Sequence, residues 1–347
     1  MSKKTKVVLT IFSILLVVLV VGFDLLKYGL GQLRGQLKIV NGAESIDDIR
    51  TSSAVDSATL QKLQYIDQVR RFAVDSLGFT DTDNYTTYFD QKDQPLMWVV
   101  TGCLPFEFTE KTWWFPVVGN VSYKGFFDEA GALMEADRIS QEGYETDIYN
   151  PEAWSTLGYF TDPVLSNMLK RGPGKMAELI IHELAHATVF LPDAVDLNEN
   201  LATMAGELGA LRFLEHQFGK TSKEYVRYAN RLQDDETYYQ HMLGGFNRLD
   251  SLYRSFDSNT RHEIKARKKY QLIASILLEI NSLPLSDKSR YLFDFEKNRL
   301  PGNTEFMSYS RYRNDQSDLK KTLTMKYGND IGMMLKRVQE EGVAALD

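Results

Sequence analysis

Residues 175–190 read KMAELIIHELAHATVF, and a second stretch, NENLATMAGELGALRFL, follows at residues 198–214. Apolar side chains recur in both stretches at spacings of three and four residues, which predicts two consecutive helices. The Gly-Pro-Gly sequence at 172–174 ends whatever precedes the first helix, and Pro192 lies just past its end. These two helices should form the centre of the fold.

Two of the chain's five histidines, His182 and His186, lie four residues apart around Glu183. On a helix this spacing puts both imidazoles on one face, where they can bind a single ion. Glu183 then points to the edge of that face, so it can accept a proton from an attacking water without ligating the ion. The pattern predicts a zinc site with Glu183 as catalytic base. The alternative is a helix whose two histidines only line a polar seam.

A catalytic zinc takes three protein ligands, so a third ligand has to be found. The candidates downstream are Asp193, Asp196, Glu199 and Glu207. Both aspartates fall in the connecting loop, where turn formation or helix capping is more usual. Glu199 starts the second helix, and small residues follow it at spacings of three or four. They are Ala202, Gly206 and Gly209. Because such a face lets two helices approach closely, we expect Glu199 to be the third ligand. The alternative is a capping box with Asp196.

Two further residues of the second helix are expected to support the ligands. Glu207 lies two turns after Glu199, about 12 Å along the axis, which is too far to share one ion with it. We expect its carboxylate to accept the ring N–H of a histidine ligand, although a solvated surface glutamate is the alternative. Thr203, one turn after Glu199, is expected to lie beside the ligands.

The composition limits the classes of function. The 347 residues are 43% hydrophobic and 25% charged, as in an ordinary globular protein. A formal net charge of −7 argues against nucleic acid as a partner. The single cysteine, Cys103, excludes an internal disulfide and a cysteine-rich zinc cluster. A metal site in this chain must therefore use histidine and carboxylate ligands.

The N-terminus predicts contact with a membrane. Three lysines within residues 1–6 precede an uncharged apolar run at residues 7–23, VVLTIFSILLVVLVVGF. We expect a single transmembrane helix there, with residues 1–6 in the cytoplasm and the remainder outside it. A cleaved signal peptide is the alternative.

The rest of the chain, residues 24–347, is expected to form one α+β, mostly helical domain, with a small β-sheet followed by a helical lobe. Apolar spacing predicts helices at 24–80 and 221–347, while 81–127 is rich in aromatic and β-branched residues. Residues 128–220 contain the metal-site region. Gly119-Asn120 is expected to form a two-residue hairpin turn.

The two helical stretches, together with STLGYFTDPVLSNML at 155–169 and FPVVGNVSYKGFFD at 115–128, resemble a family of predicted bacterial zinc aminopeptidases. The hallmark of that family is a HELAH helix followed by an Asn-Glu helix. The resemblance implies a gluzincin-type peptidase acting on peptides at the bacterial cell membrane. It also implies a zinc cofactor held by His182, His186 and Glu199, with Glu183 as base.

Peptide hydrolysis also requires a donor for the developing oxyanion, and Tyr309, Tyr312 and Tyr123 are the candidates. The GALME sequence at 131–135 resembles the amine-binding motif of other zinc aminopeptidases, but it departs from that motif and reads as an ordinary helix. The carboxylate that would bind a substrate amine therefore stays unidentified. An endopeptidase remains an alternative to an aminopeptidase, and a binding or scaffold protein without catalysis is a further one.

Overall fold

A computed structural model of the chain describes residues 26–52, 55–115, 119–151, 161–192, 194–311 and 316–346. Helices contain most of these residues. They are α1 (26–42), α2 (Ile46–Thr51), α3 (Ser57–Asp75), α4 (Glu129–Gln141), α5 (Pro173–Thr188), α6 (Val195–Phe218), α7 (Lys223–Arg254), α8 (His262–Glu279), α9 (Asn303–Arg311), α10 (Gln316–Tyr327) and α11 (Ile331–Glu341). Short 3₁₀ turns lie at Ser166–Lys170, Ile280–Ser282, Lys288–Arg290 and Gly342–Ala345.

The described strands are short and form three small sheets. They are β1 (Glu44–Ser45), β2 (Thr87–Phe89), β3 (Trp98–Cys103), β4 (Trp113–Phe115), β5 (Gly119–Val121), β6 (Tyr123–Phe126), β7 (Glu145–Tyr149) and β8 (Val164–Leu165). In the first sheet β2 pairs antiparallel with β1 and parallel with β8. In the second, β3 lies between β6 and β7, antiparallel to both. The third is the β4–β5 hairpin.

Helix α5 forms where the sequence predicts it. Pro173 occupies its first turn, where the missing N–H costs no hydrogen bond, and Gly172 is the N-cap residue. The helix ends at Thr188 and is buried along most of its length. Helix α6 packs against it through a face of small, buried residues. A Cβ added at Gly206 would lie only 2.9 Å from the Glu178 carbonyl oxygen, which shows how closely the two backbones approach.

Three clusters of buried apolar side chains hold the fold together. The largest contains α3, α5, α6 and α11, with side chains such as Ile66, Ile181 and Phe213 fully or almost fully buried. A second joins α7, α8 and α9 around Ile276 and Phe306. A third lies between α4 and the sheet containing β3. Burial of this apolar surface is the main favourable contribution to folding.

The expected fold class needs correction in two respects. One small sheet was expected, but the described residues form three. The strands β1, β2 and β8 are too short to be predicted from the sequence. A preceding transmembrane helix was also expected, but no described helix is both long and apolar enough to cross a bilayer, since the longer ones carry charged side chains at short intervals. The segment predicted to do so, residues 7–23, lies outside the described residues.

The predicted turn at Gly119-Asn120 is also wrong. Both residues belong to β5, where Gly119 pairs with Phe115 and Asn120 pairs with Trp114. Residues 116–118 lie outside the described residues. The positive φ of Gly119, 72°, explains why a glycine is favoured at the start of the strand.

Candidate metal centre

Helices α5 and α6 bring His182, His186 and Glu199 into one cluster. Their potential ligand atoms all lie within 4.8 Å of one another. The two histidine Nε2 atoms are 3.2 Å apart. A Glu199 carboxylate oxygen lies 3.6 Å from Nε2 of His182, and the other lies 3.5 Å from Nε2 of His186. Both imidazoles and one carboxylate thus converge on a single point.

The loop between the helices fixes where Glu199 falls. The Asn198 side chain accepts a hydrogen bond from the Leu191 N–H (2.9 Å) and donates one to the Leu191 carbonyl (2.8 Å). This clamp closes the connection just before Glu199. No side chain caps the start of α6, whose N-cap residue is Ala194, so Glu199 forms no capping box with Asp196. Asp193 lies outside the described residues.

The charges in the cluster interact strongly. Burial lowers the pKa of His182, but the contact with Glu199 and the charges of Glu183 and Glu199 outweigh it and raise the pKa above its usual value. Burial, and then the charge on His182, lower the pKa of His186. Burial raises the pKa of Glu199, but its interactions with the two histidines lower it overall. Glu199 is therefore ionised and His186 neutral at neutral pH, the forms in which both bind metals.

Glu183 lies at the edge of the same face. Burial raises the pKa of its carboxyl to about 7, and the charges of Glu199 and Asp162 add to this while that of His182 opposes it. A carboxyl with a pKa near neutrality is suited to accepting and returning a proton. No sequence pattern singles out Asp162, which comes from the segment before β8 and is 2% exposed.

The two residues expected to support the ligands have different surroundings. Glu207 is buried, and its carboxylate forms a 2.9 Å salt bridge with the Lys320 ammonium of α10. Thr203 is half-buried on α6, one turn after Glu199. Glu178 lies one turn before His182 on α5, and its charge contributes to the raised pKa of His182. Its carboxylate accepts hydrogen bonds from the Tyr228 hydroxyl (2.9 Å) and the Lys175 ammonium (2.6 Å). The sequence did not single out Glu178, because any two residues four positions apart, such as Glu178 and His182, share one face of a helix.

The fold separates two of the candidate oxyanion donors, Tyr123 and Tyr309. Tyr123, at the start of β6, is close enough to the cluster for the charge of Glu199 to act on it, and it is 47% exposed. Tyr309 lies among the aromatic side chains packed on the α7–α9 cluster, against Tyr238 and Tyr239. Tyr312 lies outside the described residues. Of the candidates in the described residues, Tyr123 is thus the one whose pKa is affected by a charge of the cluster.

The acidic residue of the GALME sequence is engaged elsewhere. Glu135 on α4 is buried, and its carboxylate accepts hydrogen bonds from the Trp113 indole (2.6 Å) and from Lys124 (3.2 Å). It also binds the Arg138 guanidinium at 2.6 Å. A carboxylate with three donors is poorly suited to bind the free amine of a substrate.

Comparison with known proteins adds one result. A protein-family model described as "Putative aminopeptidase" matches residues 27–342, which is almost the whole chain. The chain belongs to this family. The aminopeptidase family description indicates a peptidase, which agrees with a cluster of two histidines and a glutamate that could hold a metal ion. The comparisons with curated proteins and with solved structures gave no match.

Proposed function

We propose that this protein is a zinc-dependent aminopeptidase in which His182, His186 and Glu199 bind the zinc ion and Glu183 is the general base. The observation that carries the proposal is the spacing of the three side chains. Ligand atoms about 2.0–2.1 Å from a tetrahedral zinc lie about 3.4 Å from one another. The separations in the cluster are 3.2 Å between the imidazoles and 3.5 and 3.6 Å from each imidazole to the nearer Glu199 oxygen, and all three are close to that value.

The chemistry of the donors also fits zinc. Two imidazole nitrogens and one carboxylate form a set that catalytic zinc ions use, with a fourth position left for water. The exposed fractions of the side chains are 21% for His182, 15% for His186 and 33% for Glu199. The cluster is thus mostly buried, and each of its three side chains keeps some contact with solvent.

The residues around the cluster suggest how hydrolysis proceeds. When bound, zinc would act as a Lewis acid toward the substrate carbonyl and lower the pKa of the attacking water. Glu183 accepts the proton of that water and delivers it to the leaving amine. Tyr123 donates a hydrogen bond to the developing oxyanion. Burial and the charge of Glu199 raise the pKa of Tyr123, so its hydroxyl keeps the proton at neutral pH.

The proposal is tested with purified full-length protein, by zinc content and by hydrolysis of peptides with free and with blocked N-termini. We expect one zinc per chain and cleavage of free N-termini only. Glu183→Gln should retain zinc and lose activity by about 10²–10⁴-fold, because it removes the base and no ligand. Glu215→Gln, on the exposed end of α6, is the matched control and should keep full activity.

Each result separates the proposal from an alternative. Cleavage of blocked peptides would show an endopeptidase. Bound zinc without cleavage would favour a binding protein. Full activity in Glu183→Gln would refute the assigned base, and a protein that binds no zinc would refute the cofactor.

A further inference from the structure

One side of helix α1 is a row of exposed leucines, termed here the leucine face. Its members follow one another at spacings of four, three and four residues, so they lie on one side of the helix. They are Leu26, Leu30, Leu33 and Leu37, which are 60%, 57%, 47% and 38% exposed. Single exposed apolar side chains are common, but a contiguous row of large ones marks an interaction site.

The opposite side of α1 is fixed to the rest of the domain. The Tyr28 hydroxyl and the Gln32 side-chain amide both donate to the Gly125 carbonyl of β6, each at 2.9 Å. Ile39, further along the same side, is 1% exposed and belongs to the largest apolar cluster. At 3.6 residues per turn these positions lie across the helix from the leucines. The leucine face therefore points outward for as long as α1 keeps these contacts.

The exposed charges of α1 all have one sign. Residues 26–42 contain three basic side chains and no acidic one, in a chain whose net charge is −7. The three are Lys27, Arg34 and Lys38, all of them exposed. Their spacings of seven and four residues put them along one edge of the leucine face. None of them forms an ion pair with a described residue, so their charges are available to a partner.

The charge and the size of this surface favour a lipid partner over a second copy of the chain. A stable protein interface contains about 20–30 residues on each side, whereas this row offers four leucines. The basic edge of one α1 would also find no acidic residue on the α1 of another copy. A helix lying on an anionic bilayer needs only an apolar side and basic residues that meet the lipid phosphates. The adjacent sequence agrees, since only residues 24 and 25 separate α1 from the uncharged apolar run at 7–23.

We propose that α1 lies on the surface of an anionic bilayer, with its leucine face among the ends of the acyl chains. Lys27, Arg34 and Lys38 bind the lipid phosphates along its edge. Because α1 is fixed to β6, which begins at Tyr123, this contact holds the domain on the bilayer in one orientation. The inference does not depend on the proposed function, since no residue of the candidate metal centre takes part in it.

The test introduces a tryptophan into the leucine face of the full-length protein as Leu30→Trp. Vesicles of phosphatidylcholine and phosphatidylglycerol in equal amounts carry brominated acyl chains, which quench only an indole that enters the bilayer. The signal therefore reports on α1 itself, whatever else holds the chain on the vesicle. Leu278→Trp is the matched control, because Leu278 lies on α8 and is 56% exposed, close to the 57% of Leu30. Wild-type protein gives the contribution of the four native tryptophans.

We expect the vesicles to quench on the order of half of the fluorescence added by Leu30→Trp, and none of that added by Leu278→Trp. Combining Leu30→Trp with Lys27→Gln, Arg34→Gln and Lys38→Gln should remove most of this quenching. Each basic side chain at an anionic surface contributes about fivefold to binding, so the three together contribute on the order of 100-fold. An unchanged Tm shows that each variant folds.

The other outcomes overturn the proposal. Equal quenching of Leu30→Trp and Leu278→Trp would show that α1 does not enter the bilayer. Undiminished quenching on vesicles of phosphatidylcholine alone, or in the glutamine variant, would show that anionic lipid is not what α1 recognises. A wild-type dimer in sedimentation that Leu30→Glu dissociates, with no quenching of Leu30→Trp, would show that a second copy covers the leucine face.

Discussion

The close approach of α5 and α6 at Gly206 allows a direct test of the candidate metal centre. Gly206 faces α5 directly, and an alanine Cβ there would lie 2.9 Å from the Glu178 carbonyl oxygen and 3.1 Å from the His182 Cβ. Ordinary contact begins at about 3.4 Å, so Gly206→Ala forces the helices apart by 0.3–0.5 Å (3.4 − 3.1 and 3.4 − 2.9). Neither neighbour can rotate away, because one is backbone and the other is a Cβ.

The size of the effect follows from this displacement. Overpacking of this kind costs about 1–3 kcal/mol, and the better helix propensity of alanine offsets about 1 kcal/mol of it. We expect a net loss of about 1–2 kcal/mol in the free energy of unfolding, seen as a Tm lower by a few degrees. Metal–ligand distances tolerate only about 0.2 Å of error, so zinc affinity should fall on the order of tenfold.

The assay measures zinc affinity by competition with a chelating dye and Tm by calorimetry. Gly244→Ala is the matched control, because Gly244 lies within α7, is exposed, and an added Cβ would meet nothing within 4 Å. That variant should gain about 0.5–1 kcal/mol of stability and bind zinc normally. If Gly206→Ala behaves like Gly244→Ala, the close approach of α5 and α6 does not set the ligand geometry and the reasoning fails.

Three further predictions concern other parts of the molecule. Burial raises the pKa of Glu135, but its donors, led by Arg138, outweigh this and lower it from 4.5 to about 2. The ionised Glu135 carboxylate should therefore contribute about 2–3 kcal/mol to the free energy of unfolding above pH 4.5, and this contribution should be lost as the pH falls toward 2. Acid unfolding curves of Glu135→Gln should not show this loss. Lys269→Met should cost about 3 kcal/mol in urea unfolding, because it leaves Glu145 without its 2.5 Å partner, and adding Glu145→Leu should recover most of that loss. Tyr123→Phe should lower kcat by about 10²-fold with zinc content unchanged, and full activity would exclude it as the oxyanion donor.

The sequence was sufficient to predict the helices around the candidate metal centre because their signals are local. The spacing of His182 and His186 and the proline at each end of the stretch define α5 without knowledge of the rest of the fold. The small residues after Glu199 predict a close helix pair, and Gly206 meets α5 as that pattern requires. Only one short loop separates the two helices, so predicting that Glu199 lies beside the two histidines needed no long-range information.

The sheets were harder to predict because their pairings join distant segments. The parallel pairing of β2 with β8 joins residues 87–89 to residues 164–165, and each partner is too short to carry a readable alternation. The turn near Gly119 was placed wrongly because a Gly-Asn pair is a common hairpin signal, whereas here both residues continue the strand. The pairing of β4 with β5 therefore outweighed the local preference of Gly119-Asn120 for a turn.

Asp162 illustrates the same limit within the site. Its charge contributes to the raised pKa of Glu183, yet nothing in the residues around position 162 distinguishes it from other aspartates. Its backbone is held by hydrogen bonds with Asn84 and Tyr85, next to the pairing of β2 with β8. The ligands of the candidate site therefore come from one helix pair that the sequence encodes locally, while the environment of the base comes from a sheet that only the folded chain assembles. Substitutions that loosen the β2–β8 pairing should for this reason affect kcat before they affect zinc binding.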